Sequence, residues 1–154
     1  MVDNIDLRKL IEEILRDSRE MVLATCQRGK PWVATLVFGH DAALNLYWIS
    51  DLVARHSNEL TKNPRVAAAI NKQPTGTSED KGLQVEGEAS LLPEEKIVAA
   101  AREYFAKRGT PHMPETVEEV NTLTKGRSWY VLKPKRFLVI YEPLFGYERK
   151  EYTI

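Results

Sequence analysis

Two basic side chains stand next to each other at the end of the segment Ser50-Asp-Leu-Val-Ala-Arg-His56. An apolar strand pattern ends at Ser50 and a helical pattern follows it, so Arg55 and His56 are expected in the first turn of a helix. The unpaired N–H groups and the dipole of a helix N-terminus favour an anion, and an arginine can hold a phosphate through two parallel hydrogen bonds. The spacing therefore predicts a phosphate site, to which the Ser50 hydroxyl can also donate.

Each of these residues also fits an ordinary structural role. Arg55 precedes Glu59 by four positions, and an ion pair of that kind on a helix surface is worth only about 0.3–0.5 kcal/mol. His56 can be an exposed helix histidine, and either Ser50 or Asp51 can cap the helix. Asp51 is the better cap, because its charge beside a phosphate would be repelled. The residues alone leave both interpretations open.

Other types of site find little support in the sequence. His40 and His112 lie in predicted loops without ligand-like spacing, so no metal site is expected. Glu86 and Glu88 share a strand face but have no placed acid–base partner. There is no Ser–His–Asp pattern and no phosphate-cradling glycine loop. Cys26 lies within an apolar run and is interpreted as a buried, inert thiol rather than a nucleophile.

Composition narrows the class of protein. The 154 residues favour a single domain over residues 1–154, and 43% hydrophobic residues can form a real core. Lysine plus arginine and aspartate plus glutamate each total 22, a balance that argues against nucleic-acid binding. One cysteine allows no intramolecular disulfide, and no signal-peptide pattern or membrane-length apolar run is present. We expect a soluble cytoplasmic protein with no membrane partner.

The periodicity predicts mainly β structure with flanking helices, an α+β class. A first helix covers Leu7 to Leu15, capped by Asp3 or Asp6. The predicted strands cover residues 21–27, 31–38, 44–50, 66–70, 83–91, 129–132 and 136–141. Further helices follow Ser50 or Asp51, Pro93 and Val117, and residues 73–81 form a polar loop. Because most strands are adjacent in sequence and Gly87 suggests a bulge, a small antiparallel barrel fits best.

Four landmarks occur in order along this pattern: Gly29-x-Pro31, Ile49-Ser50-Asp51, Arg55-His56 and Asn63-Pro64-Arg65-Val66. Together with Gly82-Leu-Gln-Val-Glu-Gly87, they resemble the pyridoxamine 5′-phosphate oxidase-like superfamily of FMN-binding split barrels. The resemblance covers about two-thirds of the chain. The C-terminal piece with Phe145-Gly146 looks closer to an uncharacterised branch than to the oxidase itself.

The resemblance implies a homodimer with FMN at the interface. The flavin ring would lie against the strand that carries Thr35, Leu36 and Val37, and the phosphate would meet Ser50 and Arg55. The resemblance places His56 where the family often has lysine. Asp51 would cap the helix or contact the ring or ribityl chain through its backbone. Trp129 is the candidate for the aromatic residue that the dimer partner would contribute near the flavin. Trp32 and Trp48 are interpreted as core or interface residues.

Two positions depart from the oxidase. Ala34 and Gly39 stand where that enzyme has an arginine and a lysine that help to hold the cofactor, which argues against pyridoxamine phosphate as the substrate. The leading hypothesis is an FMN-dependent oxidoreductase that acts on an unknown small molecule. The alternatives are a non-catalytic dimeric module that senses a cofactor or serves as a scaffold, and a haem- or deazaflavin-binding protein of the same fold.

Overall fold

The computed structural model of the chain describes residues 6–72 and 80–154. The helices there are α1 (Leu7–Asp17), α2 (Arg55–Lys62), α3 (Ile97–Lys107, preceded by a 3₁₀ turn at Glu94–Lys96), α4 (Val117–Thr124) and α5 (Glu142–Phe145). The strands are β1 (Glu20–Gln27), β2 (Lys30–Val37), β3 (Gly39–His40), β4 (Leu46–Ser50), β5 (Arg65–Lys72), β6 (Lys81–Leu91), β7 (Ser128–Tyr141) and β8 (Arg149–Thr153).

The described strands form one antiparallel sheet in the order β2-β1-β5-β6-β7-β4-β3, and β8 also pairs with β7. The long strand β7 pairs with β6, β4 and β8, so it connects the two halves of the sheet. The sheet curls into a half-barrel with helices on its flanks, which confirms the predicted mainly β, antiparallel split-barrel class. Within residues 6–72 and 80–154, strand β2 lies at one end of the sheet and pairs only with β1.

Two hydrophobic clusters hold the helices to this sheet. The larger cluster packs α1 onto one sheet face, where Leu10, Ile11, Ile14 and Leu15 are buried. It also contains Trp48 and Tyr130, whose rings stack with centroids 5.6 Å apart. The smaller cluster packs α3 onto the other face. Its buried members are Tyr47, Leu92, Ala100, Ala101, Tyr104, Phe105, Val120, Trp129 and Val131.

A β-bulge bends the sheet at Gly87, as the sequence predicts. The register between β6 and β7 shifts between Glu86 and Gly87, where Gly87 pairs with Pro134. A Cβ atom at Gly87 would lie 2.2 Å from the carbonyl oxygen of Lys133. Only glycine allows the two backbones to approach this closely, so the bend depends on it.

Several predicted boundaries are wrong for identifiable reasons. The Lys133-Pro134-Lys135 segment does not separate two strands, because a proline is tolerated opposite the bulge and β7 runs through it. Residues 39–40, predicted as loop, form β3 through pairing with β4, and β8 was not predicted at all. Asp6 caps α1 by accepting from the Lys9 amide at 3.2 Å. The alternative cap Asp3 and most of the predicted 73–81 loop lie outside the described residues.

Candidate functional site

The N-terminus of α2 lies beside the edge strand β2, and Arg55 joins the two. The Arg55 guanidinium carbon lies 4.2 Å from the centroid of the Trp32 ring, a cation–π contact between helix and strand. Its Nε donates to Glu59 Oε1 at 2.8 Å, and the side chain remains 46% exposed. Among the described residues, its terminal nitrogens have no protein acceptor. The arginine is therefore held in place with two nitrogens available to a ligand.

The buried Glu59 carboxylate fixes the position of the Arg55 side chain. It is only 6% exposed and also accepts a 2.6 Å hydrogen bond from the Thr25 hydroxyl on β1. The hydrogen bonds from Thr25 and Arg55 lower the pKa of the Glu59 carboxyl, which is therefore ionised at neutral pH. The Arg55–Glu59 pair that the sequence suggested as an alternative thus exists. It leaves a phosphate with less net positive charge than a free arginine would supply.

Ser50 and His56 form a second contact at the same helix end. The Ser50 Oγ and His56 Nε2 atoms lie 2.7 Å apart, and both side chains are buried. Burial lowers the pKa of His56, so the imidazole is neutral at neutral pH in the free protein. The possibility that His56 is an exposed helix residue is wrong, because the residue is only 9% exposed and its ring contacts Ser50.

The start of α2 also differs from the prediction. The helix begins at Arg55, and residues 51–54 form a turn in which the Asp51 carbonyl accepts from the Ala54 amide at 3.1 Å. Neither Ser50 nor Asp51 caps the helix, because the turn separates both from its first residue. The N-cap is Ala54, which offers no side-chain acceptor. The first-turn amides therefore lack a side-chain cap, which is the local condition for binding an anion.

A further polar group at this end was missed by the sequence analysis. Ser57, in the first turn of α2, is 1% exposed, and its hydroxyl has no hydrogen-bond partner among the described residues. A buried hydroxyl without a partner is costly, and a ligand oxygen would satisfy it. Thr25 was missed as well, because nothing in the sequence connects β1 with a helix thirty-odd residues further on.

The predicted residues of β2 face in different directions. Thr35 is exposed on the outer face of the sheet, whereas Leu36 packs against the larger core cluster and Val37 against the smaller one. Because β2 pairs only with β1, the amide and carbonyl groups of its other edge meet no described strand. The strand can therefore present backbone groups and Thr35 to a ligand, while Leu36 and Val37 position it.

The Gly39 position explains the missing lysine. A Cβ atom there would lie 2.8 Å from both the Cα and the backbone nitrogen of Tyr104 in α3. The backbone of α3 occupies the space that a side chain would need, so this chain has no room for a cation at this position. Ala34, the other departure, pairs with Leu23 on β1. Neither of these two positions therefore adds positive charge to the site.

Trp129 does not join these residues. Its ring is 3% exposed and lies edge-on to Tyr104 and Phe105, with centroids 5.5 and 6.4 Å away. It pairs with Ile49, so it faces the side of the sheet opposite to Ser50. Within one chain, Trp129 is a core residue, as is Trp48, whereas Trp32 is 42% exposed.

Cys26 corrects another expectation. The thiol is not fully buried, because the residue is only partly covered and lines a groove of about 490 Å³ on the outer sheet face. This groove also contains Pro31, Arg65 and Lys135. Cys26 is the second-last residue of β1 and lies on the same outer sheet face as Val22 and Ala24, so the core does not cover it.

Two other expectations concern metals and membranes. In residues 6–72 and 80–154, no three His, Cys, Asp or Glu side chains come together as a metal site would require. His112 lies 3.9 Å from Glu119, and His40 lies in β3. None of the helices described here has the length and hydropathy needed to cross a bilayer.

Comparison with known proteins places this geometry in context. The family model described as pyridoxamine 5′-phosphate oxidase matches residues 7–141. A UPF0306 protein of Yersinia pestis strain Angola is 29% identical over 104 residues, which cover 67% of this chain and 71% of that protein.

Two solved structures share the fold at low identity. One is a heme binding protein from Mycobacterium smegmatis (TM-score 0.74, 16% identity, 97% of this chain and 59% of that chain). The other is a FAD-binding protein from Mesorhizobium loti (TM-score 0.65, 19% identity, 87% of this chain and 92% of that chain).

Proposed function

The chain belongs to the pyridoxamine 5′-phosphate oxidase family, and from this premise we propose that it is a flavoprotein that binds FMN. The phosphate would be held by the free nitrogens of Arg55, by the first-turn amides of α2 and by the Ser50–His56 pair. The flavin ring would lie along the open edge of β2. Bound FMN supplies two-electron redox chemistry, and we propose a small organic molecule as substrate. We also propose that the protein is cytoplasmic.

One observation carries the proposal. Arg55 joins an uncapped helix N-terminus to an unpaired strand edge, and its terminal nitrogens stay available. A nucleotide needs both features, because its phosphate requires donors and its ring requires a flat wall. The residues fit FMN on this ground, and the buried Ser57 hydroxyl offers one more donor.

We also propose that two copies of the chain form the site. The outer face of β2, β1 and β5 carries an apolar patch made of Val22, Ala24, Val33, Ala67 and Ala69, which we call the Val-Ala face. Val33 is 58% exposed on it, and the neighbouring Ala67 is exposed as well. A face of small apolar side chains at a sheet end fits a second copy of the same face, because a flat surface buries well against its own image.

A second candidate function rests on the Arg55–Glu59 ion pair. Glu59 already neutralises Arg55. The other basic residue in the first turn of α2 is His56, which is neutral at neutral pH because burial lowers its pKa. A chain of this family that binds FMN too weakly to use it would act as a non-catalytic dimeric module.

The proposal is tested by adding FMN to the purified protein. We expect one FMN per chain to bind, with a shifted and structured flavin absorption band and quenched flavin fluorescence. Light scattering should show a dimer. A preparation that leaves the flavin spectrum unchanged at millimolar FMN contradicts the flavoprotein assignment and supports the non-catalytic module, and a Soret band in the purified protein supports haem instead.

A surface variant separates the dimer from the binding site. Val33→Glu places a charge on the Val-Ala face, on its end strand β2, and leaves Arg55, Ser50 and His56 in place. We expect it to give monomers that have lost FMN binding. Leu144→Glu is the matched control, because Leu144 is a partly exposed apolar residue on α5 and its replacement should leave the dimer intact. A folded Val33→Glu monomer with full FMN affinity would show that one copy suffices.

The neutral state of His56 predicts a pH dependence of FMN binding. Burial holds its pKa below the ordinary value of 6.5, whereas a nearby phosphate dianion raises it, so binding takes up a proton in mildly acidic solution. We expect the affinity of the wild type relative to that of His56→Gln to increase about tenfold between pH 8 and pH 5.5, the size of one charge-assisted hydrogen bond.

The comparison with His56→Gln removes the titration of the FMN phosphate itself, which both proteins share. Glutamine also keeps a hydrogen-bonding group for Ser50. Fluorescence titrations at several pH values give the ratio directly. Parallel curves for the two proteins would exclude contact between His56 and the phosphate.

A further inference from the structure

The outer sheet face that contains the Val-Ala face carries a charge at each of its two ends. Ala24 of β1 pairs with Val33 of β2 and with Ala67 of β5, which fixes the side chains of these three strands that share the outer face. They are Pro31, Val33, Thr35 and Val37 of β2, Glu20, Val22, Ala24 and Cys26 of β1, and Arg65, Ala67, Ala69 and Asn71 of β5. The two charged members begin antiparallel strands, so Glu20 and Arg65 lie at opposite ends of the face.

Neither charge has a direct ion-pair partner. Both side chains are exposed, and neither forms a salt bridge within residues 6–72 and 80–154. The cross-strand neighbour of Arg65 on β6 is Glu88, whose carboxylate pairs with Lys135 at 2.8 Å. The next outward carboxylate on β6, Glu86, pairs with Arg136 at 2.8 Å. The carboxylates closest to Arg65 therefore already pair with other cations.

The groove of about 490 Å³ that contains Cys26 lies beside Arg65. Its lining includes Ala24 and Ala67, so the groove and the Val-Ala face form one continuous surface. Arg65 contributes a cation to this groove. A groove with an unmatched cation at the end of an apolar surface suits an acidic side chain of the molecule that covers the surface.

The apolar part of the face does not fix how two copies align. Its side chains are small, so two such faces can slide past each other at little cost in packing. Charges at the ends of an interface fix the alignment, because a shifted arrangement leaves them unpaired or places like charges together. The positions of Glu20 and Arg65 suit this role.

A two-fold axis that crosses the strands at the middle of the face brings these charges together. Such an axis exchanges the two ends of every strand, so Glu20 of each copy lies over the end of the face where β5 of the other copy begins at Arg65. The lateral offset is that of neighbouring strands, about 5 Å, and packed sheets lie about 10 Å apart. Extended glutamate and arginine side chains together span that separation, and symmetry forms the contact twice.

We propose that two copies of the chain pack through the Val-Ala face in this orientation, with Glu20 of each copy in the Cys26 groove of the other, paired with its Arg65. This inference rests on the dimer proposed above and specifies its symmetry and its recognition contacts. Neither residue belongs to the proposed FMN site, so charge pairing and flavin binding are measured separately.

A charge-swap experiment tests the contact. Glu20→Arg and Arg65→Glu each turn both symmetric contacts into like-charge pairs. We expect each variant to raise the dimer dissociation constant, measured by sedimentation, about tenfold per contact and so about a hundredfold in total. The double variant restores opposite charges, so its dissociation constant should return to within a few-fold of the wild-type value.

Two choices make this experiment specific. Glu118→Arg is the matched control, because Glu118 is an exposed carboxylate on α4, which packs against α3. It should leave the dissociation constant unchanged. Because Arg65→Glu also places a carboxylate beside Glu88 in the same chain, the readout is the dissociation constant and not thermal stability.

Alkylation of the single cysteine gives an independent readout. Cys26 is partly exposed in the single chain, and in the proposed dimer the Glu20 side chain of the other copy enters its groove. N-ethylmaleimide should therefore modify the wild-type dimer several-fold more slowly than Glu20→Arg at the same concentration. The double variant should be protected again.

The outcomes separate this inference from the proposed function. Single variants that dimerise like the wild type, or a double variant that dimerises no better than the single ones, would overturn the pairing and leave the dimer in place. A wild type that sediments as a monomer would contradict the dimer and the pairing together, while the flavin titration still decides whether FMN binds.

Discussion

Replacing Arg55 by alanine should weaken FMN binding by about 2 kcal/mol, roughly 30-fold. The variant loses the two free guanidinium nitrogens that face the proposed phosphate. It also leaves the Glu59 carboxylate with Thr25 as its remaining partner. An unneutralised carboxylate next to a phosphate repels it, so the loss should exceed that of one neutral hydrogen bond. Titration of flavin fluorescence against protein concentration gives the dissociation constant.

Two further variants make this result specific. Glu59→Gln removes the competing charge and keeps an acceptor for Thr25, so it should bind FMN at least as tightly as the wild type. Lys62→Ala removes a cation from the last turn of the same helix and should leave the affinity unchanged, because the C-terminal end lies about 10 Å from Arg55 at 1.5 Å per residue. An Arg55→Ala protein with wild-type affinity would remove the guanidinium from the site.

Replacing Gly87 by alanine should destabilise the fold by about 3 kcal/mol, toward the upper end of single substitutions. The added methyl would lie 2.2 Å from the Lys133 carbonyl oxygen and 2.9 Å from the Cα of Pro134. Both are backbone atoms of β7, so no side chain can move aside to relieve the contact. Urea unfolding followed by circular dichroism measures the change.

Gly29→Ala is the matched control for that experiment. Gly29 has a φ of 73° in the β1–β2 turn, and a Cβ atom there meets nothing within 4 Å. The substitution therefore costs only the left-handed backbone conformation, about 1 kcal/mol. If the two alanine variants were equally stable, the close approach at the bulge would not be what limits residue 87.

The sequence predicts the fold well where its signals are local. The strand alternation, the bulge at Gly87 and the order of the elements follow from side chains within a few positions of each other. So does the α1 cap, which the sequence limits to Asp3 or Asp6. It fails where a distant partner decides the outcome. Strand β3 is two residues long and exists because β4 lies beside it, and β7 continues through Pro134 because the proline faces the bulge.

The same holds for the candidate site: contacts that are local in the sequence could be predicted, and contacts between distant segments could not. The i, i+4 spacing indicates the Arg55–Glu59 pair, and the segment from Ser50 to His56 predicts the helix N-terminus that begins at Arg55. The Thr25–Glu59 hydrogen bond and the contact of Gly39 with Tyr104 depend on how elements far apart in the chain pack. Single-sequence periodicity carries no information about such contacts, so the buried base of the site was not predicted.

The contact between Arg55 and Trp32 gives the protein a built-in optical reporter. Of the three tryptophans, Trp48 and Trp129 are shielded in the core and Trp32 alone is substantially solvated. Any ligand that engages the guanidinium alters the surroundings of this one indole. The change in ultraviolet emission on ligand addition therefore reports events at the mouth of α2, with an almost constant background from the other two rings.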